Sequence, residues 1–165
     1  MTATRLAIVA LAAYSLSCLA QHPIAPGSPK SVSGLIGRWG CVSPDERDPS
    51  VLSVTESGLG FRAEFAEVDP KDSGAWTGYA VRFEGKNLLN LQMEGDEEKK
   101  WTVAEYTMAL PTVLHIEYPY YDNKTFNGAT TPTQLREALS RGYRAKTLFD
   151  DSLTCVRIRP RASQE

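Results

Sequence analysis

The chain has 165 residues, enough for one ordinary domain with its own core and too few for two. With 42% hydrophobic residues, 23% charged residues and a net charge of −2, the composition excludes general disorder. No lysine and arginine cluster disturbs this near-neutral balance, so nucleic acid is not an expected partner and no polybasic patch awaits an anionic membrane surface.

Residues 1–20 read as a signal peptide, with Arg5 as its positive start, an apolar run from Leu6 to Leu16, and a cleavage-like Cys18-Leu19-Ala20. The apolar run is too short to stay in a bilayer as a spanning helix. Two processing routes fit. Cleavage after Ala20 would start the mature chain at Gln21. Alternatively, Ser15-Leu16-Ser17-Cys18 resembles the lipobox of bacterial lipoproteins, which would make Cys18 the acylated first residue and a lipid anchor the chain's tie to a membrane. Either route takes Cys18 out of the count of three cysteines and leaves Cys41 and Cys155, whose pairing an oxidising compartment would favour; the alternative is two buried free thiols. The expected location is outside the cytoplasm, in a periplasm or outer envelope or secreted. Residues 21–33, with Pro23, Pro26, Gly27, Ser28 and Pro29, read as a linker, residues 34–160 as the folded domain, and residues 161–165 as a flexible tail.

From Leu35 onward the chain breaks into short runs of period two separated by turn residues. The first strand is expected over 35–42 and the second over 51–55. The third alternates Phe61, Ala63 and Phe65 against Arg62 and Glu64. The fourth puts Tyr79, Val81 and Phe83 on one face, and the fifth puts Leu89, Leu91 and Met93 opposite Asn90 and Gln92. After a charged turn at 95–100, the sixth carries Ala104, Tyr106 and Met108, and the seventh has Leu114, Ile116 and Tyr118 opposite Val113, His115 and Glu117. Short connections favour sequential antiparallel pairing. One helix follows: Thr131 as N-cap, Pro132 in the first position, Gln134 completing a capping box, Leu135, Ala138 and Leu139 as the apolar stripe, and Gly142 as the stop. The last strand is expected over 153–159.

A meander of this many short strands leaves two exposed edges unless it closes. The expected fold is therefore all-β with one helix: an antiparallel up-and-down barrel of about eight strands, with the helix before the last strand. If the first strand pairs antiparallel with the last and Cys41 faces Cys155, the same register sets Trp39 opposite Arg157, a guanidinium over an indole.

Gly37-Arg38-Trp39 at the start of the first strand, with Arg157 or Arg159 late in the chain, resembles the calycin group of lipocalins and their relatives. That resemblance implies a barrel whose late arginine packs across the tryptophan, and a carrier of small apolar ligands. The lipocalin Thr-Asp-Tyr loop motif is absent, the helix precedes the last strand instead of following it, and the cystine lies elsewhere. The order of a Gly-x-Trp strand, a helix, Leu148-Phe149 and a final strand is also similar to small exported bacterial proteins, a likeness that carries no activity with it.

Chemistry-bearing constellations are missing from the sequence. His115 and Glu117 share a strand face, but no cysteine or further histidine stands at metal-ligand spacing, and neither a nucleophile elbow nor a phosphate-cradling loop occurs. No catalytic residue, metal or cofactor is therefore assigned, and an enzyme is not expected. Two classes of binding protein remain. A carrier would line its barrel with Phe61, Phe65, Tyr79, Phe83, Leu91, Tyr106 and Ile116 around a small apolar ligand, although a filled core would use the same residues. An interaction module, such as an inhibitor or a structural lipoprotein, would present a rim of Tyr118, Tyr120 and Tyr121 to a protein partner. Those tyrosines could instead cover one barrel end together with Phe126 and the helix.

Overall fold

A computed structural model describes residues 32–44, 48–58, 60–71, 73–97, 101–119, 126, 129 and 131–159. Cys18, Tyr120 and Tyr121, with the expected signal peptide and tail, lie outside these residues. Eight strands follow in order: β1 (Gly37–Val42), β2 (Ser50–Ser57), β3 (Gly60–Ala66), β4 (Gly74–Phe83), β5 (Lys86–Met93), β6 (Trp101–Leu110), β7 (Val113–Tyr118) and β8 (Asp151–Arg157). The helix α1 (Pro132–Ala145) lies between β7 and β8. Each strand pairs antiparallel with its neighbours in sequence, and β1 pairs with both β2 and β8, so the barrel is closed. Closure leaves no sheet edge to recruit another strand.

The seam between β1 and β8 has the register expected from the cysteines: Cys41 opposite Cys155 and Trp39 opposite Arg157. The two sulfurs are 2.09 Å apart in a disulfide that joins positions 114 residues apart. Trp39 is fully buried and its indole N–H donates to the carbonyl of Leu35 at 2.8 Å. The Arg157 guanidinium sits 4.2 Å from the ring centroid and donates to the carbonyls of Ile36 at 2.8 Å and Gly34 at 2.6 Å. One planar cation thus covers the indole and ties down the turn in which Leu35 N–H bonds the Val32 carbonyl. Gly37 has φ +136°, and a side chain there would meet the Arg157 guanidinium at 2.9 Å. The glycine of the Gly-x-Trp signature is the space the arginine occupies. Val32, Leu35 and Trp39 together floor the barrel at this end.

Apolar side chains form two clusters on opposite sides of the sheet. The inner one runs from the floor through Leu52, Val54, Phe61, Ala63, Leu89, Ala104 and Leu114. The outer one joins Val81, Leu88 and Val103 of β4–β6 to Leu135, Ala138 and Leu139 of α1, with Phe126 and Leu148. Helix α1 therefore lies on the outer wall and does not cover a barrel end, which corrects that alternative for Phe126 and the helix.

The expected capping box is present: Thr131 Oγ1 accepts from the Gln134 N–H at 3.2 Å, and Gln134 Oε1 accepts from the Thr131 N–H at 3.1 Å. Gly142 does not end the helix. It is buried within it, and the chain turns instead at Lys146, with φ 57°, whose N–H reaches the carbonyls of Gly142 and Tyr143. The glycine belongs to the packed stripe, continuing Leu135, Ala138 and Leu139 by one more turn.

Beside this stripe, Tyr143 donates its hydroxyl to Glu105 at 2.9 Å, and Lys86 pairs with the same carboxylate at 2.9 Å. Burial first, and then the nearby Glu105 charge, push the Tyr143 hydroxyl far above the usual tyrosine range. A folded-state pKa raised in this way gives stability that is complete below the unfolded tyrosine value of about 10 and is lost as pH rises beyond it. Thermal midpoints of the wild type should therefore fall above about pH 10, and Tyr143→Phe should flatten that fall. An unchanged alkaline slope in the variant would contradict the role given to Tyr143.

Candidate binding cavity

Alternation along a closed barrel sends every second side chain inward, so the size of those side chains decides whether the interior fills. Here it does not fill. A cavity of about 460 Å³ runs up from the floor, within the range of about 300–1,000 Å³ common for small-molecule sites. Its deep wall is buried: Val54, Phe61, Ala63, Leu89, Ala104 and Leu114, with Leu35 beneath. Toward the other end the lining becomes half-buried, through Phe65, Trp76, Leu91, Ile116, Tyr118 and Leu153. That gradient sets the mouth at the end where β3, β5 and β7 finish and β4, β6 and β8 begin.

Four of the seven expected lining residues, Phe61, Phe65, Leu91 and Ile116, do line the cavity. Tyr106 points inward but packs into the core below it. Tyr79 and Phe83 are corrected: they face outward and pack in the cluster beneath α1, with Tyr79 edge-on to Trp101 at 5.7 Å between centroids. The inner face of β4 is Trp76, Gly78 and Ala80, paired with Met93, Leu91 and Leu89 of β5. Both faces of β4 are covered, one by the barrel interior and one by the helix, so the heavier set of side chains does not mark the inside. Continuing the period back from Ala80 through Gly78 would have found Trp76.

The mouth carries the polar groups. Tyr118 donates its hydroxyl to Asp151 Oδ2 at 2.7 Å, across the β7–β8 pair that sets these two residues opposite each other. Thr102, at the start of β6, and Glu67, just past β3, add further polar side chains to the lining. The Glu67 N–H donates to Ser73 Oγ at 3.0 Å, which holds the connection from β3 to β4 at the rim. Trp76 leans over Gly74: a side chain at Gly74 would meet the far edge of the indole at 2.8 Å. The absent Cβ lets the ring lie along the rim.

No protein family matches the chain, and neither a curated protein nor a solved structure does. The closed, eight-stranded antiparallel barrel is compatible with a lipocalin-like fold. His115 Nδ1 lies 3.2 Å from Thr154 Oγ1 on the outer surface. Among the described residues, no three His, Cys, Asp or Glu side chains come together to hold a metal. Also among them, no helix is long and apolar enough to cross a membrane.

Proposed function

We propose that this protein is an exported carrier that binds a small apolar ligand inside its barrel. The observation that carries the reading is the cavity of about 460 Å³, walled by aliphatic and aromatic side chains, floored by Leu35 and open at one end. Burying an apolar molecule there gains about 25 cal/mol per Å² removed from water. A lipocalin relationship fits the floor, where Gly37, Trp39 and Arg157 form one unit. Export fits the Cys41–Cys155 disulfide, since such bonds persist in oxidising compartments. The N-terminal alternatives, cleavage after Ala20 or acylation at Cys18, both deliver the domain outside the cytoplasm.

A second reading is an envelope or secreted interaction module, and the outer seam favours it. Val42, Val156 and Ile158 stay 51%, 56% and 41% exposed on the side of the barrel formed by β1 and β8. Uptake of the neutral apolar probe N-phenylnaphthylamine separates the two. The carrier takes it up and the Ala104→Phe variant, whose added ring occupies the cavity, does not. Equal uptake by both would overturn the carrier reading.

A further inference from the structure

We propose that the ligand is a single-chain amphiphile of about twelve carbons, lying tail-down in the barrel with its head at the mouth. This rests on the carrier reading and assigns the shape of what is carried. The depth of the cavity follows from β3, whose inward Phe61, Ala63 and Phe65 line it, with Glu67 just past the strand. From Phe61 to Glu67 the chain advances about 20 Å, at a strand rise of about 3.3 Å per residue. With strands tilted by about 35–45°, this is a depth of about 15 Å along the barrel axis. A volume of about 460 Å³ over that depth leaves a mean cross-section of about 30 Å². Carbons in contact lie about 4 Å apart, so one extended chain takes about 20 Å² of section. One chain fits. Two chains side by side do not, and a fused saturated ring system is wider than one chain.

The distribution of polar groups sets which way the chain points. The floor and the deep wall, from Leu35 and Val54 to Phe61, Leu89 and Leu114, offer no polar side-chain atom. A head group driven down there would lose its water with nothing in exchange. Glu67, Thr102, Tyr118 and the Trp76 indole, the polar members of the lining, are half-buried at the mouth. A head held at that end stays in reach of water. Length follows from the same geometry. Carbon–carbon bonds of about 1.5 Å advance an extended chain by about 1.25 Å per carbon, so about twelve carbons span the depth above Leu35. Each methylene below the rim is buried against the wall, and each one beyond it stays in water.

The test is calorimetric titration of the full chain with straight-chain alkanols from hexanol to tetradecanol, each below its solubility limit. Affinity should rise about fourfold per added methylene, the gain from burying one such group, up to a break near dodecanol. Tridecanol and tetradecanol should then bind within about twofold of dodecanol. Androstanol, a fused-ring alcohol, should bind at least about tenfold more weakly than dodecanol. In Ala104→Phe the dependence on chain length should vanish, which locates the chain inside the barrel. A rise unbroken through tetradecanol, a break at or below octanol, or androstanol binding as tightly as dodecanol would overturn the single-chain assignment. Saturable alkanol binding that is lost in Ala104→Phe would in that case leave the carrier reading standing. No saturable binding of any alkanol, or a chain-length dependence kept in Ala104→Phe, would overturn both.

Discussion

Replacing Trp39 by alanine should lower the free energy of unfolding by about 3–5 kcal/mol, a large part of the roughly 5–15 kcal/mol that holds a domain of this kind together. The indole is fully buried, and three features depend on it at once. Its removal opens a void at the floor, leaves the Leu35 carbonyl without its donor, and strips the Arg157 guanidinium of the ring it covers. Trp39→Phe should cost less, because an aromatic ring stays under the guanidinium while the N–H bond and part of the buried volume are lost. Urea unfolding of the two variants measures this. A loss below about 1 kcal/mol for Trp39→Ala would mean that the floor is not a cornerstone of the fold.

The double variant Cys41→Ser, Cys155→Ser should be about 2–5 kcal/mol less stable than the oxidised protein. The disulfide closes a loop spanning 114 positions, nearly the whole domain, so it removes many open conformations from the unfolded chain. It also fastens the one strand pair that joins the two ends of the barrel, which the chain must bring together over the greatest separation. The wild type under reductant should match the double variant in thermal midpoint. A wild-type midpoint indifferent to reductant would show that the seam holds without its bond.

Trp39 and the cysteines are also where the fold was most legible. Cys41 and Cys155 fix a register once they are paired, and that register alone brings Trp39 to Arg157. Strands β3, β5 and β7 could be oriented because one face of each mixes in polar residues while the other stays apolar, as with Phe61, Ala63 and Phe65 against Arg62 and Glu64. Strand β4 could not. Its outward Tyr79, Val81 and Phe83 are apolar because α1 covers them, and a Cβ at its inward Gly78 would run into the Asn90 carbonyl of β5. Period two tells which residues share a face and not which face is inside.

The helix was legible at its start, where the Thr131 and Gln134 side chains satisfy backbone N–H groups, and not at its end. Gly142 has the residue type of a stop signal, but burial against the outer wall keeps it helical until Lys146 takes the left-handed turn. The cavity was legible only in part. Phe61, Phe65, Leu91 and Ile116 could be named as candidates, but their identity does not say whether they meet across the barrel or leave space between them. Trp76 lies at the far end of the period of β4 and Glu67 past the end of β3, beside turn residues, and their place at the mouth follows from the three-dimensional pairing of β3 with β4.

On the carrier reading, the space inside the barrel is a binding site. Titration with N-phenylnaphthylamine, followed through probe emission, tests it most directly when wild type and Ala104→Phe are compared at equal thermal midpoint. Saturable uptake of one probe per barrel is expected, accompanied by a change in Trp76 emission, with loss of both in the filled variant. Uptake that never saturates, or that persists unchanged in Ala104→Phe, would contradict it.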